Sequence, residues 1–452
     1  MMRLSEAAIA THGIVIGNDV EFTSVGTDSR AITQGQLFVA LKGENFDGHD
    51  YVAQSLAQGA AATLIENNEN APAVKVKDAR LALGDLAAYW RKKINAPIVA
   101  ITGSNGKTTV KEMLAAILKV AAGSDSKVLA TQGNLNNDIG MPLTLLRADS
   151  HHSYVVLEMG MNHSGEISYL TNIAKPNVAL VNNAGLAHVG ELGSVEAIAQ
   201  AKGEIFQGLA LDGTAIINAD DVYSDLWKSL ASKYQQITFG LEATADVTAT
   251  YELNGATSHV RLKAPNGEVE FTLPASGLHN VRNALAASAA AIALNISLQN
   301  IAEGLSGFAG AKGRLQQKLG QFDAQVIDDT YNANPVSMKA AVDVLSAREG
   351  KRFMVMGDMG ELGADAGLMH AEIGSYAKQS GIDALFVLGD LSQEAVKAFG
   401  SGAQHFENAE SLSDAVLNRM DKLTTVLVKG SRFMRMERIV EKITKNSHEE
   451  TH

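Results

Sequence analysis

Cysteine is absent from this 452-residue chain. Its absence excludes disulfides, thiolate metal sites and a cysteine nucleophile. Aromatic residues make up only 5%, too few for a surface built to stack bases. Basic charge is in deficit: 38 Lys and Arg stand against 50 Asp and Glu, a net charge of −12. Nucleic acid and acidic membrane surfaces are therefore not expected partners, and any anionic ligand must be held by a local cluster. No run reaches about 18 apolar residues, and the opening MMRLSEAAIATHG has no apolar signal core. Membrane insertion is not expected, and a cytoplasmic location is the default. What remains is 46% apolar and 19% charged, ordinary for a globular protein with a sizeable core. The length predicts about three domains.

The stretch from Ile98 to Leu118 organises the chain. Ile98-Val99-Ala100-Ile101 is long enough for one buried strand, and Val110, Met113, Leu114, Ile117 and Leu118 recur at helical spacing. Between them stands Thr102-Gly103-Ser104-Asn105-Gly106-Lys107-Thr108-Thr109. Strand, glycine loop and helix form the context of a phosphate-binding loop, here in a short G-x-x-G-K-T form. Glycines let the backbone approach anionic oxygens, and the free N–H groups of the helix start point at them. Lys107 can reach the terminal phosphates, and the Thr108 hydroxyl can ligate Mg²⁺.

Taken in order, residues 1–82 read as a small α/β unit, with strands at Leu37–Leu41 and Ala61–Ile65 and a short helix from Tyr51 to Gln58. Residues 83–313 carry the glycine loop. Tyr154-Val155-Val156-Leu157 runs straight into Glu158, where a strand-end carboxylate can hold Mg²⁺ beside the loop. Val178–Val181 leads to Asn182-Asn183-Ala184-Gly185 and His188, a loop histidine that is either structural or a ligand. The helix from Ser194 to Leu209 has an apolar stripe with Lys202 in its middle. Such a lysine either snorkels to solvent or is buried with a depressed pKa. Residues 240–275 alternate as β-hairpins, and a long helix follows at about Asn280–Ala293. The glycine-rich Ala309–Arg314 joins a second doubly wound unit, residues 314–452, with polar clusters after its strands.

Together these segments resemble the Mur ligases, ATP-dependent amide-forming enzymes of peptidoglycan precursor synthesis. The resemblance rests on Thr27-Asp-Ser-Arg30, the glycine loop, Gly133-Asn-Leu-Asn-Asn-Asp-Ile-Gly140, Glu158-Met-Gly160, Ala201-Lys-Gly-Glu-Ile-Phe206, His279-Asn280 with Asn283-Ala-Leu285, Gly313-Arg314 and Asp329-Thr-Tyr-Asn-Ala-Asn-Pro335. It implies an α/β fold of three domains: a small N-terminal α/β domain, a central phosphate-loop ATPase domain on a mainly parallel sheet, and a C-terminal Rossmann-like domain. The Asp-Asn-Pro-Arg signature of the member that adds the third amino acid is missing. The implied substrates are UDP-N-acetylmuramoyl-tripeptide and D-alanyl-D-alanine, handled by a monomer. Ser29 and Arg30 would contact the UDP end, and Asn134 and Asn137 would also face substrate. Asn283 would meet adenine, Asp329 the ribose and Arg314 the phosphates. Glu158, His188, Thr108 and a carbamylated Lys202 would serve two Mg²⁺ sites. Asn332, Asn334 and the Lys429–Arg432 loop would lie near the dipeptide. Two other readings stay open: a folylpolyglutamate synthetase-like ligase and a non-catalytic nucleotide-dependent switch.

Overall fold

The computed structural model describes residues 1–67, 72–185, 192–255, 257–275, 277–311 and 313–445. Three sheets of mainly parallel strands follow one another along the chain. The first runs Ile14–Ile16, Ala73–Lys75, Ala62–Ile65, Gln36–Val39, Ser24–Gly26 from edge to edge, with only the Ile14–Ile16 pairing antiparallel. Gln36–Val39 and Ala62–Ile65 are buried at every position, as parallel strands covered on both faces must be. The expected Tyr51–Gln58 helix is present as Val52–Ala57 behind a 3₁₀ turn at Gly48–Tyr51.

A boundary at 82/83 falls inside one continuous helix, Ala79–Arg91. Asp78 caps it, its carboxylate accepting from the N–H groups of Arg80 and Leu81. Ala79, Ala82, Leu83, Leu86 and Ala87 form its buried stripe. This helix packs against Leu4–Thr11 of the first unit and against Gly140–Leu146 and Glu166–Ala174 of the second. It is shared between the two units. Its periodicity could not show this, because either neighbour would demand the same apolar stripe.

The central sheet runs Gln235–Phe239, Thr214–Asn218, Val178–Val181, Ile98–Thr102, Tyr154–Glu158, Val128–Ala130, all parallel. The chain winds to one side of Ile98–Thr102 and then to the other. The reversal opens a crevice at the carboxyl end of that strand, where open α/β sheets bind ligands. An antiparallel meander, Thr248–Asn254, Thr257–Ala264 and Gly267–Leu273, follows. It shares an apolar core with the helices Lys107–Ala122 and Leu278–Ala293.

The third sheet runs Gln316–Leu319, Gln325–Asp329, Thr424–Lys429, Lys351–Gly357, Ala384–Leu388, Ala403–Phe406, antiparallel only at its first pairing. Asn334 is the N-cap of helix Pro335–Ser346, with Pro335 in the first turn. A proline there gives up only an N–H that has no helical partner. No described helix is long and apolar enough to cross a membrane.

Candidate active site between two parallel sheets

The glycine loop is pinned from one side. The Asn105 N–H donates to Asn183 Oδ1 at 2.8 Å, and the amides of Asn182 and Asn183 donate back to the Asn105 carbonyl at 2.9 and 3.1 Å. The Gly185 N–H donates to Ser104 Oγ at 2.9 Å. Gly106 sits at φ +80°, and a side chain there would strike Asn182 and Asn283. Only glycine meets both demands. Lys107 opens the helix Lys107–Ala122, and its ammonium donates to the Gly103 carbonyl at 2.6 Å. Burial lowers the Lys107 pKa; Glu158 opposes that shift and Arg314 adds to it.

Glu158 ends its strand only 1% exposed. Its Oε2 accepts from the Thr108 hydroxyl at 2.9 Å and its Oε1 from the Asn136 amide at 2.8 Å. The Thr108 hydroxyl in turn accepts from Arg314 Nη2 at 2.9 Å. Lys202 does not snorkel: it is 2% exposed, on the helix Val195–Gly203. Burial first, and the charge of Lys107 second, push its pKa well below the ordinary value. Among the described residues it has no hydrogen bond or ion pair. His188 lies outside the described residues.

The carboxyl edge of the third sheet faces this loop. Asp329 and Lys429, at the ends of adjacent strands, form a buried ion pair of 2.6 Å. Burial raises the Asp329 pKa, and Lys429 works against it. A cleft of about 440 Å³ lies between the two edges, lined by Asn105, His279, Asn283, Arg314, Asp329 and Lys429 among others. Asn334 bridges it, its amide donating to Asn105 Oδ1 at 2.7 Å while its Oδ1 caps the helix through the Ser337 N–H at 2.9 Å. An anion in this cleft would meet Gly106, at the start of a helix, and Arg314 together.

Family comparisons agree with this geometry along the chain. The Mur ligase family catalytic domain matches residues 21–91, the Mur ligase middle domain 101–291, and the Mur ligase glutamate ligase domain 313–432. The UDP-N-acetylmuramoyl-tripeptide–D-alanyl-D-alanine ligase of Escherichia coli K12 is 42% identical over 449 residues, 98% of each chain. The chain belongs to the Mur ligase family. A crystal structure of MurF from Acinetobacter baumannii superposes with a TM-score of 0.89 at 38% identity over 97% of each chain. MurF of Thermotoga maritima in complex with ADP superposes at 0.82 with 26% identity, over 93% of this chain and 96% of that one. The fold is the three-domain α/β Mur ligase architecture.

In this Mur ligase the glycine loop, Glu158, Asn283, Arg314, Asp329 and Asn334 converge on one junction. Ser29, Arg30, Asn134, Asn137, Lys202 and Asn332 are not among the residues lining the cleft, and Lys107, Thr108, Glu158 and Asn334 stand beside it rather than in its lining. Ser29 and Arg30 lie on a loop of the first unit, where Arg30 pairs with Asp28 at 2.9 Å with its side chain 88% exposed. Asn134 and Asn137 are exposed, and Asn137 Oδ1 accepts from the Gly140 N–H at 2.8 Å at the start of a helix. Asn332 is exposed, and only its main-chain carbonyl is engaged, by Lys429. Lys429 thus turns toward Asp329 in the cleft. Sequence reasoning missed Asn136, the grip of Asn182 and Asn183, and the Lys429 pairing. The two asparagines carry the signal that marked Glu158, a polar residue directly after an apolar strand.

Proposed function

We propose that this chain is the ATP-dependent ligase that joins D-alanyl-D-alanine to UDP-N-acetylmuramoyl-tripeptide in the peptidoglycan precursor pathway. The observation that carries this reading is the full-length 42% identity to a ligase of that name. The cleft supplies its chemistry. ATP gives its γ-phosphoryl group to the terminal carboxylate of the tripeptide, and ADP leaves. The dipeptide amine attacks the acyl phosphate, an amide forms, and phosphate departs as the amine loses a proton. Lys107 and Arg314 preorganise positive charge where the transferring group builds negative charge. Asn283 and Asp329 line the same cleft, which supports their assignment to adenine and ribose.

Thr108 and Glu158 fit a Mg²⁺ site, a hydroxyl and a carboxylate already in contact beside the phosphate loop. The described residues contain no cluster of three or more His, Asp or Glu that could hold a metal. An ion held by Thr108 and Glu158 would take much of its shell from water and nucleotide phosphates. When bound, Mg²⁺ would neutralise charge on those phosphates.

Lys202 is the proposed second ligand group, as a carbamate. Its buried amine reacts as the neutral form: the nitrogen lone pair bonds to CO₂ and one N–H proton leaves, giving an anion. This turns a buried amine, whose charged form burial makes costly, into an anion that a metal can pair. His188 is its proposed companion. Ser29, Arg30, Asn134 and Asn137 are proposed contacts of the uridine nucleotide substrate, and Asn332 of the dipeptide. A cytoplasmic monomer of three units, the first two joined through the shared helix Ala79–Arg91 and the third beginning near residue 313, completes the reading.

One assay separates the alternatives: phosphate release with UDP-muramoyl tripeptide plus D-alanyl-D-alanine, with folate plus glutamate, and with no second substrate. Release only in the first mixture is expected. Release with folate would favour the folylpolyglutamate reaction, and slow release independent of both substrates would favour a switch.

A further inference from the structure

Tyr331 lies in the Asp329–Pro335 segment, yet the chemistry above gives it no part. The structure ties it to Arg314 twice. Its N–H donates to the Gly313 carbonyl at 3.0 Å, which holds the main chain next to Arg314. Its ring faces the guanidinium, with Arg314 Cζ 4.2 Å from the ring centroid, inside cation–π range. The main chain around the arginine is braced as well: Arg314 N–H donates to Ala311 O at 3.0 Å and Leu315 N–H to Asp329 Oδ1 at 3.1 Å.

Arg314 needs such support. It reaches a hydroxyl 206 residues away in sequence, at Thr108, from a long side chain with many rotamers. Its Nε–H is buried without an acceptor, so that edge gives the guanidinium no anchor. A buried donor left unpaired is costly and marks a place where a ligand oxygen belongs. The ring face adds a contact that can fix the plane of the guanidinium. Burial first, and Glu158 second, push the Tyr331 hydroxyl above its ordinary pKa, while the charge of Arg314 and a hydrogen bond to it work the other way.

We propose that Tyr331 is a positioning residue for phosphoryl transfer: its ring face holds the Arg314 guanidinium in the plane that binds Thr108 and leaves donors free for phosphoryl oxygens. This rests on the ligase reading, and the wild-type assay tests that reading separately. The test compares kcat and ATP KM for wild type, Tyr331→Phe, Tyr331→Leu and Tyr331→Met, and repeats Tyr331→Leu and Tyr331→Met in an Arg314→Ala background. Losing a cation–π face predicts about a tenfold fall in kcat for Leu and Met, with ATP KM moved less than about threefold and Phe within about twofold of wild type. In the Arg314→Ala background the same changes should cost less than about twofold, because the group they position is gone. A Phe variant as slow as Leu, or equal losses in both backgrounds, would overturn the proposal. So would failure of both Leu and Met variants to fold, since that would make Tyr331 a packing residue.

Discussion

Two charged regions of this Mur ligase are built in opposite ways. In the cleft, charges are buried and engaged before any ligand arrives: Lys107 on Gly103, Arg314 on Thr108, Lys429 on Asp329. In the first unit, the Thr27–Arg30 loop carries one ion pair, Arg30 with Asp28, in open solvent. Burial strengthens each interaction in the cleft, because water no longer screens it. It also raises the cost of any error, since a partner left alone there is an uncompensated charge. The exposed loop gains little from its pair and loses little without it. The cleft is thus suited to chemistry, which needs donors fixed in advance, and the loop to binding, which tolerates adjustment.

That contrast predicts the largest effect at Lys107. Lys107→Ala should lower kcat about a hundredfold or more, as one preorganised charge at a transferring phosphoryl group is worth roughly 3 kcal/mol. Thermal melting should hardly move, because the side chain contributes mainly charge. A folded variant with near-normal turnover would remove the glycine loop from the chemistry.

Lys202→Ala comes next. If the carbamate carries charge that a metal needs, the variant should lose about the same order of activity, and added acetate should restore part of it. A fully active Lys202→Ala or Lys202→Arg enzyme would contradict the carbamate. Restoration without acetate specificity, by chloride for instance, would point to general salt effects instead.

These two lysines also show what a linear sequence reveals. Lys107 was legible because strand, glycine turn and helix are contiguous. Lys202 was legible because it interrupts an apolar stripe on one helix. Local periodicity records both situations. The contacts that join the sheets leave no such record: Asp329 to Lys429 spans 100 residues, Asn334 to Asn105 spans 229, and Arg314 to Thr108 spans 206. Nothing in the local pattern around either member of these pairs names its partner. Short strands were the other gap. Val128–Ala130 and Ala403–Phe406 are edge strands of three and four residues, too brief for alternation to register. The helix Ala79–Arg91 was readable as amphipathic, but not as shared between two units.

A third, smaller effect belongs to the rim of the cleft. Burial lowers the His279 pKa from 6.5 to about 4, with Lys429 and Arg282 adding to the shift and Asp343 opposing it. Between those values the unfolded chain binds a proton at this ring that the folded chain refuses. The contribution to stability is therefore whole above pH 6.5 and is lost as pH falls toward 4. The residue keeps some solvent contact, which limits the difference to about 2 kcal/mol. Urea melts of wild type and His279→Gln at pH 7 and pH 4.5 check it. The variant should lose less stability on acidification, and parallel losses would show that other groups dominate.

The smallest effect, and the sharpest test of the comparison, is at Arg30. Asp28 accepts from Arg30 through both carboxylate oxygens and the Arg30 main-chain N–H. The guanidinium, followed by that N–H, holds the Asp28 pKa down at about 2, so the pair is fully charged at neutral pH. It is nonetheless exposed and screened by salt, so a ligand phosphate can draw Arg30 away from Asp28 at little cost. Arg30→Ala should raise KM for the uridine nucleotide substrate by about three- to tenfold, the loss of one solvated charge contact, with kcat and ATP KM unchanged. Asp28→Asn should lower that KM, because it releases Arg30 to the ligand. Adding salt should raise KM in wild type more than in Arg30→Ala. If Arg30→Ala instead depresses kcat, this loop shares in the chemistry and the division between a preset cleft and an adjustable loop fails. If it alters nothing at any salt concentration, the Thr27–Arg30 loop lies outside the substrate site.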